Sequence, residues 1–214
     1  MFAVKICGIR TAQDAAICVA EGADALGFIF AGGPAKLELA AAREIATAIP
    51  AFVTRVGVFA DQPWQFVHRA IDGCRLDMLQ FCGSETGAFR GSFELPTIAT
   101  LGIDYRAREA TPPTAAFLRD ARAVAILIDS RDGERVGGTG LRVDVRLASR
   151  IAQRSPLPCI LAGGLTAENV GDAISAVGPA AVDVRSAVER GGRKDAELVR
   201  GFVRAAAAAR RLSA

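Results

Sequence analysis

The chain has 214 residues, and 51% of them are hydrophobic, which is enough for a sizeable core. Its 26 basic and 23 acidic residues give a net charge of +3 and are spread along the sequence, so composition gives no argument for nucleic-acid binding. No apolar run approaches the roughly 20 residues that a membrane span needs. A predicted strand begins close to Met1 without a signal-peptide pattern, so we expect no membrane partner and a cytoplasmic location.

Five cysteines are present, and no two of them have the spacing of a CxxC motif. An odd number without such a pair argues against a disulfide framework and against a zinc site. Cys18, Cys74 and Cys159 fall inside or close to predicted helices or strands, where a free cysteine usually behaves as a small buried apolar residue. We therefore expect reduced cysteines and no metal.

Short apolar runs alternate with helical patterns along the whole chain. The predicted strands are Val4–Ile9, Ala25–Phe30, Thr54–Phe59, Met78–Phe81, Leu95–Ala99, Val124–Ile128, Pro158–Ala162 and Val182–Val184. The predicted helices are Ala12–Glu21, Glu38–Ala48, Gln62–Ile71, a short one near Glu85, one after the irregular stretch Leu101–Pro113, Asp144–Arg154, Ala167–Val177 and Lys194–Arg211. This alternation predicts parallel strands, and eight units favour one closed (β/α)8 TIM-barrel domain over residues 1–214 rather than an open doubly wound sheet.

In such a barrel the chemistry lies at the carboxyl ends of the strands. Cys7 closes the first predicted strand, and it is either a general base or nucleophile or a small core residue. Lys5 alternates to the same side of that strand and is expected deeper in the barrel. Asp129 ends the apolar sixth strand, which favours a functional acid over a loop cap. The only histidine, His68, lies inside a predicted helix, so acid–base chemistry is left to other residue types.

Glycine-rich turns follow the sixth and seventh predicted strands, and Arg185-Ser186 follows the eighth. Glycine lets backbone N–H groups approach a ligand closely, and the turns after the last two barrel strands commonly hold a phosphate. We therefore predict a phosphorylated small-molecule substrate. The candidate substrate or phosphate contacts in these turns are Gly138, Gly140, Gly163, Gly164, Arg185 and Ser186.

Several motifs together resemble the phosphoribosylanthranilate isomerase family of tryptophan biosynthesis, and the match runs from end to end. They are Lys5–Ile9, Gly22–Phe28, Val56–Phe59, Leu76–Gln80, Ile128–Ser130, Gly137–Gly140, Leu161–Thr166, Val182–Val184, Val188–Glu189 and Lys194–Asp195. The resemblance implies a TIM barrel and an aldose–ketose isomerase. Its reaction would be the Amadori rearrangement of N-(5'-phosphoribosyl)anthranilate to 1-(2-carboxyphenylamino)-1-deoxyribulose 5-phosphate. The resemblance further implies Cys7 as general base, Asp129 as general acid, no cofactor, and a monomer or homodimer.

Three places depart from the family pattern. The usual Ser-Pro-Arg after the second strand, whose Arg meets the anthranilate carboxylate, is Gly33-Pro34-Ala35, and Lys36 beside it is the candidate replacement. The usual His after the fourth strand is Cys82, and the usual Ser-Ser-Gly of the last turn is Arg185-Ser186-Ala187. Arg185 either adds a contact to phosphate or crowds the pocket. The alternatives are a diverged paralogue acting on another phosphoribosyl amine or sugar phosphate, and a non-catalytic barrel that binds phosphorylated ligands.

Overall fold

The computed structural model describes residues 2–85, 87–104, 123–132, 135–136 and 142–212. Eight parallel strands alternate with helices. The barrel strands are β1 (Ala3–Cys7), β2 (Ala25–Ile29), β3 (Thr54–Phe59), β4 (Met78–Phe81), β5 (Thr97–Asp104), β6 (Ala125–Asp132), β7 (Cys159–Leu161) and β8 (Ala181–Val184). The helices are α1 (Ala12–Ala20), α2 (Leu39–Thr47), α3 (Trp64–Cys74), α4 (Gly87–Arg90), α5 (Val145–Arg154), α6 (Val170–Val177) and α7 (Ala196–Leu212).

The sheet closes on itself. Neighbouring strands follow the order β5, β4, β3, β2, β1, β8, β7, β6, and a further pairing of β6 with β5 completes the ring. The first strand therefore lies between β2 and the last strand, β8. Because all eight strands are parallel, their carboxyl ends share one rim. The predicted TIM barrel is confirmed.

The largest errors in the predicted elements concern β5 and β6. Residues 101–104, predicted as irregular, continue β5, and β6 extends through Asp132 instead of ending at Asp129. The two strands stay paired to their ends, with Gly102 opposite Asp129 and Asp104 opposite Arg131. This pairing joins segments that are distant in the sequence, so no local sequence pattern predicts it. The helix predicted after Leu101–Pro113 and the Gly137–Gly140 loop lie outside the described residues.

Two short antiparallel pairs were not predicted. Arg135–Val136 pairs with the end of β6, and Glu189–Arg190 pairs with Arg193–Lys194 in a hairpin after β8. Lys194, predicted as the start of the closing helix, is therefore in a strand, and α7 begins at Ala196.

Strand alternation divides the apolar core into two layers. One cluster lies between the sheet and the helices and includes the stacked rings of Phe30 and Phe59, whose centroids are 5.3 Å apart. The second lines the barrel interior and includes Val56, Ile98 and Leu127. The interior layer sits below the rim, so the polar side chains above it form the floor of any site there. Within the described part of the chain, no helix is long and apolar enough to cross a membrane.

Candidate active site

Cys7 faces the inside of the barrel at the end of β1. Its neighbours Val4 and Ile6 pack outward against the helices, so alternation turns Lys5 and Cys7 inward, as predicted for Lys5. Gly27 on β2 lies opposite Cys7, and a Cβ there would stand 2.7 Å from the thiol sulfur. A glycine at this position therefore leaves the space that the inward thiol occupies.

The thiol of Cys7 sits in a charged but buried setting. Burial raises its pKa, and the nearby Asp183 carboxylate raises it further, whereas the ammonium groups of Lys5 and Lys194 oppose both effects. Lys5 and Asp183 form a buried ion pair with a distance of 2.9 Å between Nζ and Oδ1. Burial alone would lower the pKa of Lys5, but the Asp183 carboxylate holds it above its ordinary value, so Lys5 stays cationic.

Asp129 faces the same interior from β6. Ile126 and Ile128 point outward into the helix-facing core, which turns Asp129 inward. One of its carboxylate oxygens accepts a hydrogen bond from the backbone N–H of Ser130 at 2.7 Å. Burial, with a further contribution from Asp183, raises the pKa of Asp129 to about 7. A carboxyl group with this pKa is still partly protonated at neutral pH and can donate a proton.

A shared pair of charges connects the two candidate groups. The Lys5 ammonium lowers the pKa of both Cys7 and Asp129, and the Asp183 carboxylate raises both. The pair lies across the seam where β1 meets β8, with Lys5 opposite Asp183 in the register. The sequence predicted both candidate groups at strand ends. In the structure both face the barrel interior and are influenced by the same two charges. The sequence analysis did not predict Asp183 as a site residue. A single lysine in the first apolar strand and a single carboxylate in the last one could have indicated this ion pair.

The turn after β7 comes against Asp129. Gly163 and Gly164 have φ values of 88° and 63°, a left-handed conformation that favours glycine. A Cβ on Gly163 would stand 2.8 Å from the backbone nitrogen of Ser130 and 3.2 Å from the Asp129 Oδ1. The Asn169 side chain donates to the Gly164 carbonyl at 3.0 Å and so braces the turn. This predicted phosphate turn is therefore adjacent to the candidate acid.

The last turn begins at Arg185 and continues as a short 3₁₀ helix, Ser186–Val188. The Arg185 side chain packs over Gly8, where an added Cβ would stand 3.1 Å from its Cγ and Cδ atoms. Its guanidinium lowers the pKa of Asp129. Arg185 therefore directs its charge toward the rim that carries both candidate groups. Gly138 and Gly140, also predicted to contact substrate, lie outside the described residues.

The loop after β2 differs from what a carboxylate site needs. Lys36 is exposed, and its Nζ lies 2.8 Å from the carboxylate of Glu38. Ala35, in the family's arginine position, is buried. The structure therefore places Lys36 on the rim with its charge already paired within the loop.

The wall formed by β4 and β5 is polar. The Cys82 sulfur lies 3.2 Å from the Thr100 hydroxyl and 3.3 Å from the Gln80 amide nitrogen, and burial raises the pKa of the Cys82 thiol to about 11. Gln80 Oε1 is buried and has no partner within the described part of the chain. The sequence analysis did not single out this buried acceptor. Among the described residues, no three or more His, Cys, Asp and Glu side chains are grouped to hold a metal ion.

A family model described as N-(5'-phosphoribosyl)anthranilate (PRA) isomerase matches residues 4–205. The chain belongs to the PRA isomerase family. A PRA isomerase from Geobacter sp. (strain M21) is 42% identical over 205 residues, covering 95% of this chain and 97% of the relative.

Solved PRA isomerase structures have the same fold. The Thermotoga maritima enzyme is 32% identical and superposes with a TM-score of 0.85, covering 97% of this chain and 100% of the other. A second structure holds a PRA isomerase in complex with reduced 1-(O-carboxyphenylamino)-1-deoxyribulose 5-phosphate. It is 30% identical, with a TM-score of 0.82 and the same coverage of both chains.

Proposed function

We propose that this chain converts N-(5'-phosphoribosyl)anthranilate to 1-(2-carboxyphenylamino)-1-deoxyribulose 5-phosphate, with Cys7 as general base and Asp129 as general acid. The observation that carries the assignment is the shared barrel interior. Both groups point inward at one rim, and both respond to the Lys5–Asp183 pair. The reaction is an Amadori rearrangement, in which an aminoaldose becomes an aminoketose.

The first step is ring opening, which needs an acid. Asp129, with a pKa of about 7, gives its proton to the ring oxygen of the ribosyl group. The bond between C1 and the ring oxygen breaks, the nitrogen lone pair forms the C1–N double bond, and a cationic Schiff base results. The Gly163 turn packs closely beside this carboxyl group.

The second step is proton removal from C2, which needs a base. The Cys7 thiolate takes this proton, and the C2–H electrons move toward C1 and onto the substrate nitrogen, forming an enolamine. The cation of Lys5 favours the thiolate against the burial that disfavours it. The enolamine then takes a proton at C1 and loses the proton of its C2 hydroxyl group, which gives the ketose. The Cys7 thiol loses its extra proton to water and the Asp129 carboxylate regains one, so both groups return to their starting states. The substrate nitrogen acts as the electron sink, so the scheme uses no cofactor.

The substrate carries two anionic groups, a phosphate and a carboxylate, and each needs its own contacts. We assign the phosphate to the turns after β6, β7 and β8, which combine glycine backbone with the guanidinium of Arg185 and a hydroxyl. These contacts are Gly138, Gly140, Gly163, Gly164, Arg185 and Ser186. We assign the anthranilate carboxylate to Lys36, which must exchange its Glu38 partner for the substrate.

The pairing of Lys36 with Glu38 also favours a second candidate function. A chain whose loop charge is already neutralised, and whose arginine position is Ala35, fits a substrate whose amine lacks the carboxylate. This reading keeps the same chemistry with another phosphoribosyl amine. A barrel that only binds phosphorylated ligands is disfavoured by the pairing of a partly protonated acid with an inward thiol.

Growth and turnover test the function. Expressed in a tryptophan auxotroph that lacks the isomerase, the chain should restore growth, and the purified protein should turn over phosphoribosylanthranilate. Its rate should rise with pH below about pH 7 and level off above it, because the pKa of Cys7 lies above that of Asp129 and the loss of protonated Asp129 then offsets the gain of Cys7 thiolate. Failure of both with well-expressed protein would reject the proposal. Turnover of a carboxylate-free phosphoribosyl amine in its place would establish the second candidate.

We further propose that residues 1–214 form a single barrel domain that acts in the cytoplasm as a monomer or homodimer and binds no nucleic acid. All five cysteines are free, which suits a reducing compartment. A Thermotoga maritima relative is described as a dimeric phosphoribosylanthranilate isomerase. Light scattering on the purified chain would decide between the two assembly states.

A further inference from the structure

A two-stranded hairpin follows the last barrel strand and returns to the first. Its strands are Glu189–Arg190 and Arg193–Lys194, with Glu189 opposite Lys194. The turn between them is Gly191-Gly192, with φ values of 59° and 76°, as a two-residue type I′ turn requires. We call residues 189–194 the seam hairpin, because β1 and β8 meet beneath it.

The buried carboxylate of Asp14 anchors the seam hairpin to the start of α1. One Asp14 oxygen accepts from Arg193 Nε at 3.0 Å and from the backbone N–H of Lys194 at 3.3 Å. The other accepts from the backbone N–H of Arg10 at 3.1 Å. These contacts lower the pKa of Asp14 in spite of its burial, so it stays charged. The base of the hairpin is thereby fixed in position.

The Lys194 side chain has only 1% of its surface exposed. Its ammonium group donates hydrogen bonds to three acceptors, which uses all three of its N–H groups. Nζ lies 2.7 Å from the Cys7 carbonyl oxygen, 3.2 Å from the Arg185 carbonyl oxygen and 2.9 Å from a Glu189 carboxylate oxygen. Two of these acceptors are backbone atoms of residues that the proposed mechanism uses. The third neutralises a charge that would be costly to bury alone.

We propose that Lys194 is a positioning residue of the isomerase, which holds the backbone of the general base Cys7 at a fixed place relative to the phosphate turn at Arg185. The inference rests on the proposed role of Cys7. A residue needed only for stability would be satisfied by any acceptors, but this one joins the two strand ends that must present base and phosphate contacts together.

The charge of Lys194 also acts on the Cys7 thiol, whose pKa it lowers. The other titratable groups that bear on the thiol are Lys5 on the same strand, Asp183 on β8 and Cys82 after β4. β2 faces the thiol with Gly27, which carries no charge. Removal of the Lys194 cation therefore takes away one of the two cations that favour the thiolate among the described residues, which should make Cys7 a weaker acid.

The variants are chosen to separate charge from structure. Lys194→Met removes the cation at similar side-chain length. Glu189→Gln keeps the contacts to the two carbonyl groups and removes only the ion pair. The double variant Lys194→Met/Glu189→Gln removes the buried cation and its partly buried partner, so that neither charge stays unpaired. Arg200→Met, which breaks the exposed pair with Glu21 on the outside of the barrel, is the matched control.

Two measurements apply to each variant: the pH dependence of Cys7 alkylation by iodoacetamide, followed on the Cys7 peptide by mass spectrometry, and steady-state kinetics with inorganic phosphate as inhibitor. We expect Lys194→Met and the double variant to raise the alkylation midpoint by about one pH unit. We also expect roughly 10- to 100-fold lower kcat and weaker phosphate inhibition. Glu189→Gln should not raise the midpoint, and the control should behave as wild type.

Several results would overturn the proposal. One is a Cys7 midpoint that stays at the wild-type pH in both Lys194→Met and the double variant. Another is a midpoint that Glu189→Gln raises as far as Lys194→Met does, because loosening of the hairpin would then be the cause. If circular dichroism shows that neither variant folds, Lys194 is a folding residue and the proposal fails. Alkylation does not need turnover, so the two failures can be told apart. An inactive wild-type chain with a Lys194-dependent midpoint would reject the proposed function, whereas an active wild-type chain whose midpoint does not depend on Lys194 would reject the inference.

Discussion

The raised pKa of Asp129 predicts that the proposed acid weakens the fold. Replacing it by Asn keeps the shape of the side chain and an oxygen that can accept the 2.7 Å hydrogen bond from the Ser130 N–H, but removes the charge. Because ionisation of the buried carboxyl group is unfavourable in the folded chain, Asp129→Asn should stabilise the protein while it abolishes acid catalysis. This exchange of stability for function is common at active sites.

The size of the effect follows from the pKa. An ordinary Asp titrates at 3.8, and Asp129 titrates at about 7 in the folded chain. Each unit of difference corresponds to about 1.4 kcal/mol. Between these two pKa values the folded state binds more protons than the unfolded state. Asp129 therefore costs no stability below its unfolded-state pKa, and the cost grows until the pH has passed its folded-state pKa. The variant should therefore gain about 1.5 kcal/mol at pH 5 and about 4 kcal/mol at pH 8.

Urea unfolding at both pH values measures this gain. Asp72→Asn, at an exposed carboxylate on α3, is the control and should change stability little at either pH. The decisive quantity is the change in the gain of Asp129→Asn between pH 5 and pH 8, because any fixed cost of burying the amide cancels. A gain that is equal at the two pH values, or larger at pH 5, would refute the reasoning.

Two further substitutions test the surroundings of the site. Gly163→Ala should cost more stability than Gly178→Ala, by roughly 1–3 kcal/mol in urea unfolding, because both glycines have positive φ but only Gly163 would place a Cβ 2.8 Å from another backbone. Equal costs would show that the turn after β7 has room to spare. Asp183→Asn should destabilise by roughly 3–5 kcal/mol because it leaves Lys5 buried without its anion. The double variant Lys5→Met/Asp183→Leu should recover part of that loss, and no recovery would argue against the ion-pair explanation.

Much of the barrel was predictable because its signals are local. Each strand is a short apolar run, and each helix carries its own periodicity. Capping is local too: Thr11 precedes α1 and accepts a hydrogen bond from the Asp14 N–H, as a threonine at an N-cap does. The prediction of the end of β5 was wrong because residues 101–104 are held by pairing with β6, which lies more than twenty residues away. Local patterns do not report such pairing.

The residues of the candidate site likewise include some that local sequence patterns predict and some that they do not. Cys7 and Asp129 were found because each follows an apolar run at a strand end, where a barrel gathers its chemistry. Lys194 was placed in a helix, and its contact to the Cys7 carbonyl joins residues 187 positions apart. Lys36 was predicted as the replacement for the family's arginine, and its contact with Glu38 was not predicted because it depends on how the loop folds. Charges and strand ends can thus be read locally, whereas their partners depend on closure of the barrel.

The most direct test of the central claim is a kinetic isotope effect on kcat/KM with substrate deuterated at C2 of the ribosyl group. If Cys7 removes that proton, Cys7→Ser makes C–H cleavage slower and should enlarge the isotope effect relative to wild type. If Asp129 opens the ring beforehand, Asp129→Asn makes ring opening limiting and should bring the effect close to unity. The reverse pattern, or no isotope effect in any of the three proteins, would contradict the assignment of base to Cys7 and acid to Asp129.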